Sequence, residues 1–201
     1  MAKKAIVGPS PDKTLLQLHR YLWTPARYAH PGWLMSIGFT PRPRWGYGEN
    51  PPLDRCLNRA LQERRGTPRL PTSLNPRQQR IVQLSSRIQS FALATGLLEL
   101  GCRDYFLLPD YRRVLLRWLD DGLLWQLFGL CKGNNRAIFS PVQTLENALE
   151  LGTAVLNRTA QNDPVLHAVL ITLPPSKRAL WPTVPGLAMN LLEQTLCADF
   201  R

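Results

Sequence analysis

Lysine, histidine, cysteine and long apolar runs are all scarce in this chain, and each scarcity closes a class of function. The four cysteines, Cys56, Cys102, Cys131 and Cys197, form no C-x-x-C pair and no cluster with histidine, which argues against a zinc site. A 22.8 kDa chain of 44% hydrophobic composition can bury a core without disulfides, so the thiols are read as reduced. Only three histidines occur, His19, His30 and His167, and none belongs to an H-E-x-x-H zinc helix. His167 lies in an apolar run and reads as a satisfied core imidazole. No phosphate-binding G-x-x-x-x-G-K-[ST] is found, since Gly129 to Gly133 carries one lysine at the wrong spacing. The G-x-S-x-G elbow and the G-x-G-x-x-G fingerprint are likewise missing. Asp120 and Asp121 form the one adjacent carboxylate pair, but helical neighbours diverge by about 100 degrees and share no site. They read as the end of a charged face. No nucleophile, base and orienting group come together, so we expect no enzyme, no cofactor, no metal and no small-molecule substrate.

The longest apolar run, Phe91 to Leu98, covers eight residues, far short of the roughly 18 that a membrane helix needs. The N-terminus, Met-Ala-Lys-Lys-Ala-Ile-Val-Gly-Pro-Ser-Pro, carries no apolar core of a signal peptide, and a cytoplasmic protein is expected.

What is plentiful is arginine. Of 25 basic residues 20 are Arg, the side chain suited to bidentate contact with carboxylate or phosphate. Residues 1–90 hold 15 basic and 4 acidic side chains, whereas residues 91–201 hold 10 of each, so the net charge of +11 lies entirely in the first half. That asymmetry points to an acidic partner surface, a nucleic acid or an anionic membrane rather than to a particular fold.

Periodicity and boundary residues predict a mainly α chain: one globular helical domain over residues 14–201, with a flexible tail through residue 13 and room for one or two short strands. Residues 38–76, with seven prolines and four glycines, read as a proline- and arginine-rich loop region. One short helix is expected inside it, from Leu53 to Arg65, with Pro52 near its start, Gly66 at its end and Leu53, Leu57 and Leu61 on one face. Asn75 and Pro76 then start a helix of about six turns with the stripe Ile81, Leu84, Ile88, Phe91, Thr95 and Leu98, ended by Gly101. Arg77, Arg80 and Arg87 read as its solvated face. A second helix is expected from Asp110, as its cap, to Phe128, with Leu115, Leu116, Leu119, Leu123, Leu124 and Leu127 inward and Trp118 and Trp125 widening the apolar arc. Ser140 to Gln143 carries a capping box and opens a third, facing inward with Leu145, Leu149, Gly152 and Leu156. Val165 to Leu173 fits a strand or a buried helix equally. Pro174 and Pro175 end it, and a last helix from Pro185 to Cys197 should use Leu187, Leu191, Leu192 and Leu196.

The segment from Leu18 to Leu34 packs four aromatics, two arginines and two histidines around two prolines, a composition suited either to seating a segment on a core or to partner contact. Within it, Leu18-x-Arg20-Tyr21 and Pro25-Ala26-Arg27-Tyr28-Ala29-His30-Pro31-x-Trp33-Leu34 resemble the opening of the SctK family, accessory proteins of bacterial type III secretion that include YscK, PscK and HrpD. The resemblance continues through Arg87-Ile88 and Gly96, Arg112-Arg113-Val114-Leu115, Leu151-Gly152 and Leu170-Ile171-Thr172-Leu173-Pro174, and covers residues 15–198. It implies a helical, non-enzymatic adaptor of the cytoplasmic sorting platform, at the inner-membrane base of the apparatus. Such adaptors link the cytosolic domain of the ring protein SctD to the pod protein SctQ, and through SctQ to SctL and the ATPase. On that view Trp23, Tyr28 and Trp33 are anchors, Arg20 and Arg27 steering groups, and His30 part of the same partner-binding set. The rival class is a basic nucleic-acid-binding protein, motivated by a pI near 10.2 and arginine interleaved with aromatics, although no helix-turn-helix or RNA-recognition signature is seen. A peripheral membrane protein has only Lys3-Lys4 in its favour.

Overall fold

Boundary residues set the elements of this chain more sharply than periodicity does. The computed structural model describes residues 12–176 and 184–198, so the expected tail lies almost wholly outside the described residues. Asp12 caps α1 (Lys13–Trp23) by accepting the Thr14 N–H. Two short helices follow, α2 (Pro25–Tyr28) and α3 (Pro31–Ser36), each opened by a proline whose missing N–H costs nothing at a helix start. Inside the proline-rich region, α4 (Pro51–Arg65) is capped by Asn50 and ended by Gly66 at φ +80.

The expected six-turn helix is instead two, α5 (Pro76–Gln83) and α6 (Ile88–Leu100), joined by a 3-10 turn over Leu84–Arg87. The Ser86 hydroxyl donates to the Gln83 carbonyl within that turn, a local bond that competes with the α-helical ladder. The stripe runs through unbroken, and all its members but the half-buried Leu98 are buried. The start and stop signals hold: Asn75 and Gln78 form a reciprocal capping box, and Gly101 is left-handed at φ +63.

The expected helix from Asp110 to Phe128 also divides. A short α7 (Asp104–Leu107) leads into α8 (Pro109–Leu115), and α9 (Asp121–Leu130) starts afresh. The cap is Asp120, not Asp110: its carboxylate accepts the Leu123 N–H at 2.7 Å, and Asp121 supplies the negative charge of the first turn. The carboxylate pair is therefore a helix start rather than the end of a charged face. This break turns Leu116, Trp118 and Trp125 outward, correcting the inward arc expected for them.

The capping box of Ser140 and Gln143 opens α10 (Pro141–Thr159). Its most buried positions are Thr144, Ala148 and Leu151 to Leu156, with Leu145 and Leu149 half-buried beside them. Val165 to Leu173 is helical: Asp163 caps α11 (Pro164–Val169) by accepting the Val165 and Leu166 N–H groups, and a 3-10 turn continues it to Thr172. No strand occurs among the described residues, so the expected short strands are not found there. In α12 (Gly186–Ala198) the inward set is Ala188, Met189, Leu192 and Leu196, while Leu187 and Leu191 face out.

The centre of the molecule is the crossing of α6 and α10. A Cβ on Gly96 would lie 1.7 Å from the Ala148 carbonyl oxygen, and one on Gly152 would lie 1.7 Å from that of Ala92. The two helices thus touch backbone to backbone through reciprocal small residues, closer than side-chain ridges allow. Around this axis α5, α9, α11, α12 and α1 bury the main core, including Phe91, Tyr105, Phe106 and Leu124. A second, smaller core under α2, α3 and α4 holds Ala26, Leu34, Leu57 and Leu61, with Phe39, Trp45 and Tyr47 packed on it.

Candidate partner interface

The aromatic segment divides into a seated part and an exposed part. The seated part is tied to the stretch after α11: the His30 N–H donates to the Ile171 carbonyl at 2.9 Å, and Trp33 Nε1 donates to the Leu173 carbonyl at 2.8 Å. Two blocks separated by about 140 residues in sequence, both carrying the family resemblance, are thus in direct contact. His30 Nδ1 also accepts the Gly32 N–H at 3.1 Å as the cap of α3. Burial lowers the His30 pKa, in keeping with an imidazole whose acceptor nitrogen is in use. Tyr28 meets Tyr21 edge to face at 4.9 Å and joins the margin of the main core. Tyr28, His30 and Trp33 are therefore half-buried supports.

The exposed part comprises Arg20, Trp23 and Arg27. Trp23 is 61% exposed at the end of α1 and stacks on His19 with centroids 4.8 Å apart. Arg20 lies one turn before it, and Arg27 sits over the Tyr28 ring at 5.9 Å.

The remaining arginines of the N-terminal third repeat this pattern. Arg42, Arg44, Arg55, Arg64 and Arg69 are exposed, and none of them, nor Arg20 or Arg27, has a carboxylate within 4 Å among the described residues. Arg59 is paired, with Glu63 at 2.9 Å. Downstream, Arg117 and Arg136 are exposed in the same way, but three other arginines are tied into the fold. Arg77 grips Glu193 with two bonds of 3.1 and 3.2 Å, and this pairing raises the Arg77 pKa. Arg87 reaches Asp120 at 3.7 Å and the Leu196 carbonyl at 3.2 Å, and Arg112 pairs with Asp121. Arg77 and Arg87 are therefore cross-links to α12 and α9 rather than a solvated face, and Arg80 has its Nε buried.

The proline-rich region contributes a cleft of about 540 Å³ lined by Phe39, Arg42, Arg44, Trp45, Glu49 and Leu53. Asn58 holds the loop over α4, accepting the Ala26 N–H and donating to the Tyr47 hydroxyl at 3.0 Å each. Buried Asp54 accepts the Gly48 N–H at 2.9 Å. Asp54 and Asn58 do not stand out in the sequence; the available signal was a short polar side chain directly after each of Leu53 and Leu57 inside a helix.

All four cysteines are free thiols, and the described residues contain no group of histidine, cysteine and carboxylate that could hold a metal ion. No helix among them is long and apolar enough to cross a membrane.

No curated protein and no solved structure matches the chain. A family model described as a type III secretion system subunit matches residues 16–175, the span that contains the aromatic segment, the α6–α10 crossing and the 170–174 stretch that seats Trp33. The chain belongs to this family of type III secretion system subunits.

Proposed function

We propose that this subunit is a non-enzymatic adaptor of the cytoplasmic sorting platform, joining the cytosolic domain of SctD to SctQ, with residues 14–201 acting as one body. The observation that carries the reading is the division of its charge. Further along the chain Arg77, Arg87 and Arg112 are held in ion pairs within the fold, whereas Arg20 and Arg27 around Trp23 and Arg55 and Arg64 on α4 have no carboxylate partner among the described residues. A surface of unpaired guanidinium groups beside an exposed Trp suits an acidic protein face, with charge setting encounter rate and the aromatic supplying contact area. The family match and the resemblance to SctK support the same reading.

The test is co-expression with the SctD cytosolic domain and SctQ of the same secretion locus, with nuclease treatment before gel filtration. Co-elution that Arg20→Glu with Trp23→Ala abolishes is the expected result. The same unpaired arginines would serve a nucleic-acid-binding protein, and nucleic acid persisting in the untreated preparation, with no protein complex, would favour that alternative.

A further inference from the structure

Arg65, the last residue of α4, behaves unlike the other arginines of its region. It is half-buried, its guanidinium lies 5.1 Å over the Trp33 ring, and one of its N–H groups donates to the His167 carbonyl. No carboxylate among the described residues pairs with it. Burial without a counter-charge drags its pKa down to about 10, a costly arrangement for a guanidinium. Gly66, at φ +80, turns the chain away immediately afterwards and leaves Arg65 on the wall of a cleft of about 600 Å³ between the end of α4 and the α10–α11 corner. His167 lines the same cleft, and its Nδ1 is buried with no hydrogen-bond partner. Thr67, Gln161 and Asn162 add polar side chains to the walls.

We propose that this cleft is a carboxylate-binding site that receives a Glu or Asp side chain of a partner protein, with Arg65 as the principal ligand. Trp33 holds the guanidinium plane, the bond to His167 fixes its orientation, and the N–H groups left over supply the fork that a carboxylate accepts. A carboxylate entering there gives the buried charge its missing counter-ion, so the gain comes from a pre-organised donor rather than from ordering a mobile one. The proposal rests on the adaptor reading only in taking the carboxylate from a protein.

The experiment is a titration of the ¹⁵N-labelled full chain with N-acetylglutamate amide, following the Arg65 Nε–H and the Gly66 and Thr67 amides, with inorganic phosphate and a thymidine decamer in separate runs. Saturable shifts at these groups are expected with the carboxylate. Arg65→Lys, which keeps the charge but loses the fork, should weaken binding by at least about fivefold, while Arg20→Gln changes nothing. Gln161→Trp fills the cleft from an exposed position of its wall while Arg65 itself is unchanged, and should abolish the shifts, which keeps the test decisive should Arg65→Lys fold poorly. Linear, unsaturable shifts, equal losses in Arg20→Gln, or tighter binding of phosphate or the oligonucleotide at these groups would each overturn the proposal. Because no partner is used, this result is independent of whether SctD and SctQ co-elute.

Discussion

Trp23 and Trp33 sit ten residues apart in a segment of uniform aromatic texture, yet their surroundings give them opposite roles. Trp33 loses a hydrogen bond to the Leu173 carbonyl, a stacked guanidinium and its place between the two cores when truncated. Trp33→Ala should therefore cost about 3 kcal/mol in urea denaturation. Trp23→Ala should leave stability within about 0.5 kcal/mol and lower partner co-elution instead. His30 predicts a pH effect of definite sign. Its pKa lies below the ordinary 6.5, as does that of His167, lowered by burial and by the charge of Arg65. The unfolded chain takes up these protons at a higher pH than the folded one, so stability is complete above about 6.5 and falls as pH drops from there through the folded values. Protonation of His30 at Nδ1 also sacrifices the cap on Gly32. The melting temperature should be lower at pH 5.5 than at 7.5, and His30→Asn, which retains a capping acceptor, should reduce the difference.

Helix packing is governed by the α6–α10 crossing. Gly96→Ala or Gly152→Ala puts a methyl group into a facing backbone carbonyl, which no rotamer change relieves, and should destabilise by more than about 3 kcal/mol or abolish soluble expression. Gly129, near the end of α9, meets nothing within 4 Å of a Cβ, and Gly129→Ala should stabilise by about 0.5 kcal/mol through helix propensity. Measured together by chemical denaturation, the three variants separate glycine kept for contact from glycine that is merely tolerated. α10 was legible as a helix from its cap, Ser140 with Gln143, and α6 from the apolar stripe that begins behind Asn75 and Pro76 and from Gly101 at its end. That their glycines face each other was not, because periodicity assigns a residue to a face and leaves open which neighbour covers it.

Across the molecule, charge is neutralised internally in one part and presented in the other. Glu193 is only 2% exposed and depends on Arg77, so that pair belongs to the architecture, while Arg20, Arg27, Arg55 and Arg64 on α1, α2 and α4 are exposed and screened by solvent ions. Partner association should therefore weaken as salt rises, and Arg20→Glu with Arg27→Glu should slow the association rate by about tenfold in stopped flow while leaving the melting temperature unchanged.

Composition and boundary chemistry were sufficient for the helical class, for the starts of α4, α5, α10 and α12, for the basic first half and for the missing catalytic motifs, since each depends on residues close together in the chain. The reading of residues 110–128 failed where a local signal was overlooked: Asp120 offered a cap, and apolar spacing alone could not reveal the break before it. The strand-or-helix ambiguity at 165–173 was settled by Asp163 and Pro164, whose cap and fixed φ start a helix that a β-branched run then continues. Which arginines are paired, which tryptophan is seated, and that Arg65 meets His167 across about 100 residues were decided by the tertiary structure alone. Long-range pairing depends on how the helices stack, and in this chain that rests on two glycines whose backbones touch.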